Sequence, residues 1–85
     1  MTVLNVEIVS PRGLLFRGEC HMAVIPGSEG EVGVMFDHQS LITSLRQGKI
    51  SLYNDKEIVI QEFEVTENGG VAGIYSNNTL SVLLD

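Results

Sequence analysis

Val3-Leu4-Asn5-Val6-Glu7-Ile8-Val9, running into Ser10-Pro11-Arg12-Gly13, is the stretch whose reading decides the fold. Leu4, Val6 and Ile8 fall on one face and Asn5 and Glu7 on the other, the period of two that a half-buried strand requires. The segment that stops it carries Pro at the second and Gly at the fourth position, as a type I turn prefers. The same grammar repeats outward along the chain. Leu14 to Cys20 and His21 to Ile25 read as strands, with Cys20, Met22 and Val24 expected on one face. Pro26-Gly27-Ser28-Glu29-Gly30 breaks the run, Glu31 to Met35 is a short strand, and Phe36 to Ser40 is a loop. Leu41 to Arg46 also fits helical spacing through Leu41 and Leu45, but it is short and Gly48 closes it, so strand is the better reading. Lys49 to Tyr53 and Glu57 to Thr66 flank Asn54-Asp55, a good hairpin connection. Glu67-Asn68-Gly69-Gly70 and Ser76-Asn77-Asn78 bound the last two strands, Val71 to Tyr75 and Thr79 to Leu84, with Leu80, Val82 and Leu84 sharing a face.

No segment keeps helical periodicity over the roughly ten to twelve residues a helix needs. The expected fold is all-β: one domain over residues 1–85, an antiparallel β-sandwich or flattened barrel of about ten strands. A chain of 85 residues buries roughly 60% of the surface its unfolded form exposes, and an apolar fraction of 44% is enough for a thin core. The apolar runs are far shorter than the roughly 20 residues of a membrane span. The opening residues from Met1 lack a basic region and carry charge early, so no signal peptide is read and a soluble chain inside the cell is expected.

Charge narrows the function classes. Five Lys and Arg against eleven Asp and Glu give a net charge of −6, which argues against nucleic-acid phosphates and against recruitment to anionic lipid. The distribution says more than the total. Between Arg17 and Arg46 there is no Lys or Arg, while Glu19, Glu29, Glu31 and Asp37 all fall there. A partner meeting this segment should be neutral or basic.

Each tempting chemical motif has a plainer reading. Pro26-Gly27-Ser28-Glu29-Gly30-Glu31-Val32-Gly33 suggests a phosphate loop, but no Lys follows and two glutamates would repel the phosphate. A tight connection shaped by glycines accounts for the residues better. Asp37-His38 with Ser40 or Ser44 hints at an acid–base–nucleophile set, yet such triads are assembled across a fold and not along a run. His21 and His38 lack a third ligand for a metal site, and His21 is expected on the face opposite Met22. Glu62 and Glu64 lie two apart on one solvated strand face. Cys20, the single cysteine, can form no internal disulfide and reads as a small core residue. Asn77-Asn78-Thr79 reads as a turn and not as a glycan acceptor. No catalytic constellation, metal site or cofactor is expected, and a binding module is the natural class.

The order of these features resembles the N-terminal domain of the epsilon subunit of F-type ATP synthases. The resemblance rests on Ile8-Val9-Ser10-Pro11-x-Gly13, on Leu15-Phe16-x-Gly18-Glu19, and most of all on Pro26-Gly27-Ser28-Glu29-Gly30-Glu31-Val32-Gly33-Val34. His38 follows at the family spacing, then Leu41-Ile42-x-x-Leu45-Arg46-x-Gly48, Gly69-Gly70-Val71 and Leu80-Ser81-Val82-Leu83-Leu84-Asp85. Phe36-Asp37 and Ser40 stand where the family usually has Pro-Gly and Pro, and the region from Asn54 to Asn68 runs longer than in many relatives. The family commonly continues past the closing Asp into a helical hairpin, which these 85 residues do not include.

What the resemblance implies is a non-catalytic rotor subunit of the central stalk, docked on the gamma subunit and on the membrane c-ring. It implies a peripheral position, on the cytoplasmic face of a bacterial inner membrane or its organellar equivalent. No membrane insertion, nucleic acid or small-molecule substrate is implied. Ser28, Glu29, Gly30 and Glu31 are then expected at the c-ring, and Ser10, His38, Leu41, Ile42 and Thr43 at gamma. The rival reading is a small β-sandwich binding or assembly module outside the synthase. Neighbouring genes for the alpha, beta and gamma subunits would separate the two.

Overall fold

In the computed structural model, residues 3–75 and 77–85 are described, and they form nine strands and no helix. These are β1 (Leu4–Ser10), β2 (Gly13–Cys20), β3 (Met22–Gly27), β4 (Gly30–Met35), β5 (Leu41–Leu45), β6 (Gly48–Tyr53), β7 (Val59–Val65), β8 (Gly70–Tyr75) and β9 (Thr79–Leu84). The alternation read from the sequence is the cause. Leu4, Val6 and Ile8 of β1, Ile50 and Leu52 of β6, Ala72 and Ile74 of β8, and Leu80, Val82 and Leu84 of β9 all point into one core. Each Val, Leu or Ile among them, taken fully out of water, contributes about 1.5–3 kcal/mol. Among the described residues no polar or charged side chain is buried, so the core carries no unpaid hydrogen bond.

β3 is where the two layers meet. One of its edges carries β4 along the full length; the other is divided. Met22 to Val24 pair with β6, while Gly27 pairs with Leu45 of β5. The strands therefore fall into β2-β1-β9-β8-β5 and β4-β3-β6-β7, joined at that single residue pair. Two further backbone bonds close the corner: Ser28 N–H to Ser44 O at 2.8 Å and Arg46 N–H to Pro26 O at 2.9 Å. On the opposite side Phe16 of β2 and Phe63 of β7 meet, ring centroids 5.4 Å apart and planes tilted by 53°, a favourable aromatic geometry.

Close approach at the corner explains two of its glycines. A Cβ on Gly27 would stand 2.7 Å from Gly30 O. Gly69 holds φ at +72°, and a Cβ there would stand 2.5 Å from Leu45 O. Both contacts are with backbone, which cannot swing aside.

The structure corrects several expectations. The all-β sandwich is as expected, with nine strands among the described residues where about ten were read; the departure is that β1 pairs with β9 in parallel while every other pairing is antiparallel. Parallel pairing needs a long connection, and here β1 and β9 are nearly the whole chain apart, which local turn signals cannot reveal. Cys20, Met22 and Val24 do not share a face. The chain bends at His21, the phase resets, and Ala23 and Ile25 are buried while Met22 and Val24 are only half-buried. His21 accordingly sits in the bend, donating its N–H to Tyr53 O, and not on a strand face. The connection at Asn54-Asp55 is five residues long, 54–58, because the Asn54 side chain accepts from the Lys56 and Ile58 amides and Glu57 takes φ +62°. Leu41 to Leu45 is a strand, as expected. The turn before Thr79 is present at Asn77 and Asn78, with Asn78 at φ +60°. Its first residue, Ser76, lies outside the described residues, as do Met1 and Thr2.

Candidate docking surface

The tip of the β3–β4 hairpin carries Ser28 and Glu29, both exposed, then Gly30 and the exposed Glu31 at the start of β4. Beside it runs the first half of β5. Glu29, Gly30, Glu31 and Val32 on the hairpin and Leu41, Ile42 and Thr43 on β5 line one open groove of about 340 Å³. Six of these seven residues, all but Val32, come from two stretches that sequence reading assigned to different partners. The structure brings them together. Pairing at Gly27 and Leu45 causes this, since it draws the hairpin tip alongside β5.

Ile42 is the most exposed of the large apolar residues, at 71%. Leu41 and Ile42 also border a second hollow with Ile74 and Tyr75, so the apolar surface continues onto β8. His38 is half-buried in the preceding loop, its N–H donated to Met35 O and its Nδ1 2.7 Å from Gln39 O, the partner it donates to. Those bonds hold the loop to itself, and Asp37 N–H, donated to Asn78 Oδ1 at 2.8 Å, pins it against the β8–β9 turn. Asp37 itself takes φ +68°. The His38 ring is thus engaged by backbone, and its neighbours Asp37 and Ser40 do not form a relay with it.

Ser10 is elsewhere. It closes the β1–β2 turn, its hydroxyl accepting from Arg12 N–H and donating to Gly13 O. Register places it beyond the Val9–Leu83 pair, at the Leu45 end of the sheet and three strands from β5. It does not join the groove.

Two apolar rows escaped sequence reading. Leu14, Val9, Leu83 and Val71 are successive cross-strand neighbours on the outer face of the five-strand layer. Leu14 is 53% and Leu83 56% exposed. Met35, Met22, Tyr53 and Val59 form the corresponding row on the four-strand layer. The signal was present in the sequence: Val9 and Leu83 are apolar residues at polar phases of their own alternation.

Electrostatics are simple. Arg17 and Glu7 form a 2.6 Å ion pair on the outer face of β1 and β2, far from the groove. Burial pushes the Cys20 thiol up to about 11, consistent with a core role. Among the described residues no group of three or more His, Cys, Asp or Glu comes together, and no helix is long and apolar enough to cross a membrane.

Comparison with known proteins supplies the family. Residues 3–85 match the model for the ATP synthase delta/epsilon chain, beta-sandwich domain. The ATP synthase epsilon chain of Helicobacter pylori is 33% identical over all of this chain and 65% of its own length. That of Parvibaculum lavamentivorans is 48% identical over 61% of this chain and 39% of its own. The chain therefore spans between about two fifths and two thirds of the length of the curated relatives it matches. Among solved structures, a chain of the Euglena gracilis mitochondrial ATP synthase, in a structure that includes the c-ring, superposes with a TM-score of 0.83 at 16% identity, covering 96% of this chain and 50% of that one. A chain from the central stalk and c-ring structure of the Tetrahymena thermophila mitochondrial ATP synthase gives 0.75 at 15% identity, covering 95% and 62%. These two establish the fold, and the family match together with the Helicobacter pylori relative establishes the rest: the chain belongs to the ATP synthase delta/epsilon family, as its β-sandwich domain.

Proposed function

We infer that this domain is a rotor component of the synthase central stalk, docking on the gamma subunit and on the membrane c-ring so that the three turn together. The observation that carries this reading is the pairing of a stiff core with an exposed, acidic-edged apolar groove. A close-packed sandwich yields little under load, which suits a part that must pass on torque. The domain acts by contact and performs no chemistry; ATP hydrolysis is not among its activities. Its place is peripheral, at the membrane surface on the side where ATP is made.

Within that reading the hairpin tip, Ser28 to Glu31, faces the ring, and His38 with Leu41, Ile42 and Thr43 faces gamma. Ser10 belongs to the gamma side through a separate patch, since it lies away from the groove. Carboxylates at the rim of such a contact mainly steer association and fix register, so each contributes modestly and is weakened by salt. The test is co-purification of the intact synthase from its native membrane. Recovery of this chain with gamma and the c-ring is expected; recovery of both partners without it would overturn the assignment.

A further inference from the structure

The backbone of β5 carries a pattern that the side chains conceal. Ser44 accepts from Ser28 N–H and Arg46 donates to Pro26 O, so the even-numbered residues here turn their backbone groups toward β3. The odd-numbered residues turn theirs toward β8. Ile42, two residues before Ser44, turns its N–H and C=O the same way as Ser44, but β3 has already ended at Gly27. Among the described residues nothing pairs with Ile42 on that edge. Its free amide and carbonyl open into the groove whose far wall is Glu29 to Val32. An unpaired strand edge is a template for another strand. Sheet proteins commonly blunt such an edge with Lys or Pro; here it is left beside an exposed Ile and two carboxylates.

We propose that this groove binds one extended, Lys- or Arg-bearing segment of a partner protein by strand addition, pairing with the backbone of Ile42 while its cation meets Glu29 or Glu31. Backbone bonds give such a complex its hold and side chains its selectivity. Charge chooses the occupant: no Lys or Arg lies between Arg17 and Arg46, and among the described residues neither Glu29 nor Glu31 forms an ion pair, so both can attract a partner's cation. The proposal rests on the rotor reading and replaces its division of contacts: the hairpin tip and residues 41–43 hold one and the same partner segment and do not face the ring and gamma separately.

The experiment compares Ile42→Pro with Ile42→Ala in binding to the purified c-ring and, separately, to gamma from the same synthase. Proline removes the edge N–H, and the β8 ladder does not use that donor; alanine keeps the donor and loses the side chain. Strand addition predicts at least a tenfold loss of binding for proline and about twofold for alanine. Equal losses for the two variants would overturn it while leaving the rotor reading standing. Amide exchange on the unmodified chain keeps the test independent of how proline folds: the Ile42 amide should slow at least tenfold in the complex, and an unchanged rate overturns the proposal. If neither subunit binds, the rotor reading fails on its own. The strand edge is then judged with a short alternating Val/Thr peptide carrying one central Lys, against the same peptide with Glu. An Ile42 amide shift with the Lys peptide alone supports the proposal; no shift, or equal shifts, overturns it.

Discussion

Pro26-Gly27 and Ser28-Glu29 are neighbours in sequence and opposites in the molecule. Pro26 and Gly27 are buried at the corner where the two layers join, and Ser28 and Glu29 stand in solvent at the hairpin tip. Gly27 lies so near Gly30 O that no side chain fits, whereas Glu29 is exposed at the rim of the groove. The most distinctive string in the sequence is therefore two devices end to end. Its first half sets the fold, by turning β3 from one layer into the other. Its second half, tied to β5 through the Ser28 amide, keeps its side chains in solvent, and the turn delivers them to the free edge of β5.

This division makes graded predictions. Ile25→Ala, just before the corner and fully buried, should cost about 2–5 kcal/mol in chemical denaturation, through lost burial and the cavity left behind. Gly27→Ala should cost about 1–3 kcal/mol, since its methyl group meets the hairpin backbone and the corner must open to admit it. A melting point for Gly27→Ala equal to that of the unmodified chain would remove the corner from the account.

Cys20 gives a pH test of the core side. Its folded pKa is raised from 9.0 to about 11 by burial, so the neutral thiol is the form the fold prefers. The contribution is fully present below pH 9 and is lost as pH rises through 11, at up to about 1.4 kcal/mol per pH unit. Other groups titrate in that window, so the measurement is the difference from Cys20→Ala, whose stability should fall less steeply above pH 9. Equal slopes would mean that the thiol is not held in the core.

How much of this was legible in the sequence follows the same line. Strands with one buried and one wet face, such as β1 and β9, declare themselves by alternation, and Leu4, Val6, Ile8, Leu80, Val82 and Leu84 all lie in the core as expected. The phase between Cys20 and Ala23 was not legible, because one bent residue at His21 shifts the pattern without leaving a Gly or Pro to mark it. Nor was the parallel β1–β9 pairing, which depends on long-range packing. The candidate contacts were picked out as two separate groups; that Glu29 to Glu31 and Leu41 to Thr43 share a groove follows from the Gly27–Leu45 pairing, which only topology supplies. The free edge at Ile42 is a property of backbone direction and has no residue type to announce it.

The central claim is that the hairpin tip serves docking and not folding, and Glu31→Lys tests it most directly. Thermal melting and binding to the purified c-ring are measured side by side, at low and at high salt. The account predicts stability within about 0.5 kcal/mol of the unmodified chain, because Glu31 is exposed and makes no ion pair among the described residues. It predicts clearly weaker ring binding at low salt, with the difference shrinking as salt rises. Unchanged ring binding at low salt, with the fold intact, would contradict it.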